Sequence, residues 1–422
     1  MASRQSQKTL VALFGYDSSP FTQKVRLATK SQRSGASDER FNSQGTKRLI
    51  APRVSPAFVI VPSMLPRPIL KDNFSLTYRK IPVLAIGREI YIDTSLILEA
   101  LEHSFPPSQG YGSLYPGDLA TTYRPLIRGF ASYWTDRPLF RVTTGLIPAS
   151  VWRTHFGTDR ANLIGHQLDP EKLERKVPQN LSGLDLQLSL LEPLFTTSTT
   201  AGSGSGSGKK KKWIFDDDGE GESGPSAADI ALWYQLDWGE KISRGQGIEN
   251  LTGGGTPDGD GEGLGSVLNE ERYPGLVGWF ERVKSYFEGL PDTETRIEKE
   301  DEGAIAEMMD RLKTAAPPSV SSIEDKYERV PLIPTPAGPH TSLDGRNGLV
   351  PGAAVSVAPD DTGRDSPTIG TLLAITPEEV VLEPGRIGDG NGPKAGPVRV
   401  HFPRVGFVVR PLATPRGKTA RL

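Results

Sequence analysis

The sequence predicts a multidomain protein in which an α/β domain comes first, an all-α domain follows, and a small all-β module comes last. Three observations support this order. Short apolar runs and helical segments alternate at the start of the chain, leucine repeats at helical spacing in the middle, and the C-terminal part alternates with a period of two. A chain of 422 residues also exceeds what one hydrophobic core usually organises.

The α/β domain is predicted over residues 8–107. Residues 10–14 form a short apolar strand, and Ser19 and Pro20 suit the N-cap and first position of the helix that follows. Further strands at 57–61, 81–86 and 89–92 and a helix from 94 complete a β-α-β, β-β-α order. An insert at about 31–52 is polar and lacks periodicity, so it is predicted to be disordered.

The all-α domain is predicted over residues 117–315. Its clearest amphipathic stretch carries leucines at helical spacing, namely Leu181, Leu184, Leu188 and Leu191. Further helices are predicted at 123–134, 229–238, 276–287 and about 293–313. Gly-rich segments at 196–212 and 253–265 are predicted to be flexible linkers.

The β-rich module is predicted over residues 346–414, after a Pro-rich linker at 316–345. Five short strands are expected at 353–357, 368–375, 379–382, 398–402 and 407–409. Such short alternating strands are typical of a small, self-contained barrel or sandwich.

Composition excludes several classes of function. A formal net charge of −2 gives no electrostatic reason to expect nucleic acid or an anionic membrane as a partner. The chain has no cysteine and its 5 histidines lack ligand spacing, so no metal site is expected. No apolar run approaches the length of a membrane helix, and no secretory leader is recognisable at the start. A cytoplasmic protein is therefore expected.

Several motifs carry a resemblance to a known family. Residues 18–21 resemble the first βα turn of serine-type glutathione transferases, and residues 81–84 resemble the strand that carries their cis-proline. Residues 93–94 stand where the family has an acidic-plus-hydroxyl pair, while 225–230 and 273–279 look like two of its helix starts. The whole is most similar to a fungal group of transferase-like proteins. The resemblance implies a thioredoxin-like first domain, a transferase-type helical domain and a possible homodimer.

The resemblance implies that a serine hydroxyl activates the thiol of glutathione. Ser19 is the first candidate and Ser18 the second, because classes of the family differ in which serine they use. A hydroxyl donor at a helix N-terminus lowers the pKa of a thiol, which is ordinarily about 8.5. The alternative is that Ser19 only caps the helix.

Five further residues are implied to bind glutathione. Pro82 in cis would turn the backbone of Ile81 toward the cysteinyl part, and Asp93 and Thr94 would meet the γ-glutamyl group. Lys80 would pair with the glycyl carboxylate. Their structural alternatives are ordinary helix capping for Asp93 and Thr94 and a solvated side chain for Lys80.

Two functions are expected from this resemblance. The first is a detoxification enzyme that conjugates glutathione, as its co-substrate, to an electrophilic small molecule. The second is a non-catalytic binding or scaffold protein that retains the fold, since fold does not determine function.

Overall fold

The computed structural model describes residues 9–31, 54–117, 119–196, 211–215, 224–246, 263–292, 294–315, 330–385 and 398–412. The predicted insert and the three predicted linkers therefore lie wholly or partly outside the described residues.

One mixed sheet runs through the molecule, with its ten strands in the order β10-β6-β7-β8-β9-β4-β3-β1-β2-β5. The strands are β1 (Val11–Gly15), β2 (Ala57–Ile60), β3 (Val83–Ile86), β4 (Glu89–Ile92), β5 (Thr295–Ile297), β6 (Ala354–Pro359), β7 (Thr368–Ile375), β8 (Glu379–Pro384), β9 (Arg399–Pro403) and β10 (Phe407–Pro411).

The N-terminal part has the predicted β-α-β, β-β-α order. Strand β1 pairs in parallel with β2 and antiparallel with β3, and β3 and β4 form a hairpin whose turn places Gly87 at a φ of 57°. The helices here are α1 (Pro20–Ser31), α2 (Pro68–Phe74) and α3 (Thr94–Ser104). The sequence analysis did not predict α2, which begins with proline at its first position.

The helical part follows. Its helices are α4 (Leu119–Thr122), α5 (Arg124–Gly129), α6 (Phe140–Thr144), α7 (Ala149–Trp152), α8 (His155–Ile164), α9 (Pro170–Glu174), α10 (Val177–Leu191), α11 (Ala227–Ser243) and α12 (Pro274–Glu288). A π-helical segment, Phe130–Leu139, joins α5 to α6 and contains Pro138. The four leucines predicted to form the inner face of α10 are all buried.

The end of the predicted helical domain belongs with the sheet instead. Residues 293–313 were expected to form one helix, but strand β5 pairs in parallel with β2 before helix α13 (Glu302–Thr314) begins. Buried residues of α13, such as Met308 and Leu312, share a core with the sheet residues Phe14 and Ile92. The short helix α14 (Thr341–Arg346) precedes the C-terminal strands.

The five C-terminal strands are confirmed, but the prediction of a self-contained barrel or sandwich is corrected. Strand β9 pairs in parallel with β4, in the register Glu89↔Arg399, Ile90↔Val400 and Tyr91↔His401. An edge strand offers unpaired backbone groups to any partner, and alternation along a strand does not reveal which edge it will join. The C-terminal strands thus extend the N-terminal sheet.

The two faces of the sheet bury separate cores. On β1, Leu13 packs into a cluster shared with α3, α11 and α12, whereas Ala12 and Phe14 pack into the cluster shared with α2, α13 and the C-terminal strands. This division follows from the period of two along a strand. The first core joins the N-terminal and helical parts, and the candidate site lies at that junction.

Candidate functional site

The turn between β1 and α1 carries the two candidate serines. Both are buried, with Ser18 7% and Ser19 3% exposed. The Ser19 hydroxyl accepts a hydrogen bond from the backbone N–H of Thr22 at 3.2 Å, so its predicted capping role is observed. A hydroxyl has one donor hydrogen besides its acceptor lone pairs, and capping therefore leaves the hydrogen of Ser19 free to donate.

Ser18 differs from Ser19 in having an unsatisfied hydroxyl. Its Oγ is inaccessible to solvent and has no hydrogen-bond partner among the described residues. An unpaired buried polar group is costly, so native proteins contain few of them, and many occur where a ligand or water completes the bonding. The Ser18 hydroxyl, like that of Thr22 in the first turn of α1, is therefore able to form a further hydrogen bond.

Trp238 of helix α11 holds the same turn from the helical side. Its indole Nε1–H donates to the carbonyl oxygen of Ser18 at 3.0 Å, and its ring stacks on Phe140 with the centroids 5.9 Å apart. Trp238 was not predicted from the sequence, because the contact joins residues 220 positions apart and no local pattern reports it.

The peptide bond between Ile81 and Pro82 is cis, as predicted. Among the described residues no group hydrogen-bonds the backbone N–H or C=O of Ile81. These two groups are therefore available to pair with an extended ligand. A second cis bond, between Leu65 and Pro66, was not predicted.

Asp93 begins helix α3 and caps it. Its carboxylate accepts from the backbone N–H of Ser95 at 2.9 Å and from the Ser95 hydroxyl at 2.6 Å, and its backbone has a φ of 71°. The capping alternative is thus observed for Asp93. The residue as a whole is half-buried.

Thr94 is engaged within the protein. Its hydroxyl donates to Asp136 Oδ2 at 3.0 Å, and the buried Lys24 ammonium donates to the same oxygen at 2.7 Å. Tyr234 of α11 donates to the other carboxylate oxygen at 2.9 Å, and burial together with Asp136 raises the pKa of this phenol well above its usual value. Thr94 therefore belongs to a polar cluster that joins α1, α3, the π-helical segment and α11.

Lys80 is partly exposed but already has a partner. Its Nζ lies 2.5 Å from Asp361 Oδ1, and Asp361 belongs to the connection between β6 and β7. This pair lowers the pKa of the Asp361 carboxyl, although burial opposes the shift. The Asp361 carboxylate thus pairs with the lysine that was expected to bind the glycyl carboxylate of the ligand.

An apolar cluster packs beside the serine turn. Tyr16 and the partly buried Ile81 contact residues from the helical part, which are Ile147, Val151, Trp152, Phe156, Trp238 and Ile242. The Tyr16 hydroxyl faces the guanidinium of Arg160 at 3.5 Å, and that guanidinium also donates to the Ser63 carbonyl at 2.9 Å. Next to them, burial lowers the pKa of Arg67 to about 10.

Among the described residues no group of three or more His, Asp or Glu side chains could hold a metal ion, and no described helix is long and apolar enough to cross a membrane. A cavity of about 220 Å³ lies at the start of α12, lined by Phe195, Lys211 and Arg282 among others, and none of the candidate site residues lines it.

Comparison with known proteins gives a structural likeness only. No family model matches the sequence, and no curated protein matches it. A GST-like protein from Pseudomonas syringae is similar in structure, with a TM-score of 0.51 and 22% identity over 96% of this chain and 99% of that chain. A tau-class glutathione S-transferase from mango (Mangifera indica) and a rice GST in complex with glutathione each have a TM-score of 0.37 and 17% identity. They cover 72% of this chain and 98% and 100% of their own.

The likeness to the bacterial protein concerns the fold. At 22% identity it shows that this chain has a GST-like fold, with its helices and one large sheet. It does not assign roles to individual residues.

Proposed function

We propose that this protein binds glutathione at the β1–α1 turn and along residues 80–82, and that it adds the glutathione thiolate to an electrophilic small molecule. The observation that carries the proposal is the orphaned hydroxyl of Ser18, buried next to the N-terminus of α1. A thiolate sulfur is an acceptor that would satisfy this hydroxyl. The partial positive charge of the helix N-terminus would stabilise the same thiolate.

We assign the donor role to Ser18, whereas the sequence alone favours Ser19. The bond from Thr22 holds the Ser19 oxygen in the helix cap even though its hydrogen is free, whereas the Ser18 hydroxyl has no partner of either kind among the described residues. The backbone groups of Ile81 would pair with the cysteinyl residue of glutathione and hold its sulfur at the turn. In the reaction, the sulfur electron pair forms a new C–S bond, and the pair displaced from the electrophilic carbon departs with a leaving group or takes a proton from water.

The γ-glutamyl end would lie at the start of α3. The carboxylate of the half-buried Asp93 suits the ligand's amino group, and the N-terminus of α3 suits its carboxylate. Thr94 would contribute its backbone position rather than its hydroxyl, because Asp136 holds that hydroxyl.

A non-catalytic binding role is the second candidate, and two observations favour it. Lys80 and Thr94 are both engaged with carboxylates of the chain, and aromatic and aliphatic side chains pack beside the serine turn where an electrophile would have to enter. A protein of this kind would bind glutathione without activating its thiol.

The ultraviolet absorbance of the bound thiolate against pH separates these functions. One hydrogen bond to a charged group contributes about 1.5–3 kcal/mol. Ser18→Ala is therefore expected to raise the pKa of the bound thiol by about one to two units, at about 1.4 kcal/mol per unit. Conjugation near neutral pH should fall about ten- to a hundredfold as a result.

Ser19→Ala is the matched control. It should lower the free energy of unfolding by about 1 kcal/mol through loss of the cap, while leaving the pKa of the bound thiol nearly unchanged. The opposite pattern would return the donor role to Ser19. If wild type binds glutathione with an unshifted thiol, the enzyme proposal fails and the binding role stands.

A further inference from the structure

The connection between β6 and β7, residues 360–367, lies against the candidate glutathione site. Asp361 pairs with Lys80, the residue that directly precedes Ile81. At the other end of the connection, the carbonyl of Pro367 accepts a hydrogen bond from the Thr77 hydroxyl at 2.7 Å. The connection is therefore fixed next to Thr77 and Lys80, in the segment that leads into strand β3.

The same connection also touches the helical part. The backbone N–H of Gly363 donates to the carbonyl of Leu163 in helix α8 at 3.0 Å. Gly363 has a φ of 77°, and a Cβ at this position would lie 2.9 Å from Leu163 Cδ1. Only glycine fits this close approach without displacing a neighbour. Residues 360–367 thus span from the N-terminal part to the helical part beside the site.

The chemistry of the contact resembles that of the proposed ligand. Glutathione ends in a glycyl carboxylate, and Asp361 presents a carboxylate to the lysine proposed to receive it. One lysine ammonium cannot pair closely with both carboxylates without bringing two negative charges together. We propose that Asp361 is an internal competitor for glutathione, so that the β6–β7 connection regulates the site. This inference rests on the proposed function.

The strength of the contact suits a reversible competitor. The side chains of Lys80 and Asp361 are 28% and 46% exposed, and ion pairs this accessible to water are weak. A ligand can therefore displace Asp361. The apparent affinity of the ligand for the protein is lowered only in proportion to the fraction of molecules in which the Lys80–Asp361 pair is formed.

The experiment measures dissociation constants by calorimetry on the full chain. The probes are glutathione and its glycyl monoethyl ester, which lacks the terminal charge. Asp361→Asn is expected to bind glutathione about two- to fivefold more tightly than wild type. Its affinity for the ester should match that of wild type. Gly363→Ala places a side chain at a φ of 77°, which strains the connection in its observed position, and should tighten glutathione binding in the same direction.

Asp360→Asn is the matched control, since Asp360 is a neighbouring acid that faces Arg137 at 4.0 Å instead of Lys80. It should leave both affinities unchanged. The inference fails alone if wild type binds glutathione and Asp361→Asn binds it no better, or if the ester gains as much as glutathione. If neither wild type nor any variant binds glutathione, the proposed function fails and the inference falls with it. Binding by Asp361→Asn but not by wild type would support both.

Discussion

The N-terminal sheet meets its two neighbours through junctions of different chemistry. Toward the helical part, the buried ion pair of Lys24 and Asp136 is joined by Thr94 and Tyr234. Toward the C-terminal strands, backbone pairing of β4 with β9 is accompanied by a buried cluster in which His401 lies between two glutamates. The first junction is an ion pair with two hydroxyl donors, whereas the second contains a histidine, the type of side chain that ordinarily titrates near neutral pH.

The charge balance of the second junction depends on His401. Its Nε2 lies 2.8 Å from Glu89 and its Nδ1 lies 2.6 Å from Glu379, and all three side chains are fully buried. Arg399 also pairs with Glu89, and the ring of Tyr91 lies 4.5 Å from the imidazole. Two carboxylates facing both ring nitrogens favour the imidazolium, and these glutamates raise the pKa of His401 although burial opposes them.

The comparison teaches that a rise in pH should act on the second junction, through His401. The helical junction joins helix α1 and the start of α3 to the helical part. The β4–β9 junction joins the N-terminal sheet to the strands whose connection carries Asp361.

Breaking the helical junction should have the largest effect. Lys24→Met removes the cation but leaves Asp136 mostly buried, and loss of one partner of such a pair costs about 3–5 kcal/mol. Chemical denaturation should show a fall of this size in the free energy of unfolding. Lys30→Met, near the end of the same helix, is the control and should change stability little. A small loss in Lys24→Met would show that Thr94 and Tyr234 suffice for Asp136.

Raising the pH should weaken the second junction. Because the pKa of His401 is raised in the folded protein, its stabilisation is complete below its unfolded value of about 6.5 and is lost as pH rises through the folded value. Unfolding free energy should thus decline above about pH 6.5, by up to about 1.4 kcal/mol per unit of pKa shift.

His401→Gln should remove that decline, although it also lowers stability at every pH. Burial lowers the pKa of His103, so its contribution to the free energy of unfolding depends on pH in the opposite sense. His103→Gln should therefore preserve the decline. Protease cleavage in the C-terminal strands, measured against pH, would locate the effect. An equal decline in wild type and His401→Gln would contradict the assignment.

The smallest effect is expected from removing the hydrogen bond by which Trp238 of the helical part positions the serine turn. Trp238→Phe keeps the aromatic packing but removes the hydrogen bond to the Ser18 carbonyl, which is worth about 1 kcal/mol. The turn should loosen, and the pKa of bound glutathione thiol should rise by less than in Ser18→Ala. Trp233→Phe, on the same helix, removes a similar bond to the carbonyl of Phe280 at 3.0 Å, and Trp233 lies in a different apolar cluster from the serine turn. If both variants shift the thiol equally, Trp238 has no specific positioning role.

Local features of the candidate site could be predicted from the sequence, while its long-range contacts could not. The caps formed by Ser19 and Asp93 depend on neighbours within three positions along the chain. Thr94 and Asp136 are 42 positions apart, and Lys80 and Asp361 are 281 apart, so no periodicity or motif reports these pairs. The sequence could therefore name the residues of the site without revealing which of them already have partners.

The sequence by itself determined the order and type of most elements, from the first strand to the five C-terminal ones. Alternation and helix caps depend only on residues that are close together in the sequence. Tertiary structure alone decided that β9 joins β4 and that Asp361 reaches Lys80. A strand edge can pair with many other strands, and a surface charge with many opposite charges, because the local chemistry of these partners is the same. The choice among those partners is made by burying both cores at once, which requires the whole chain.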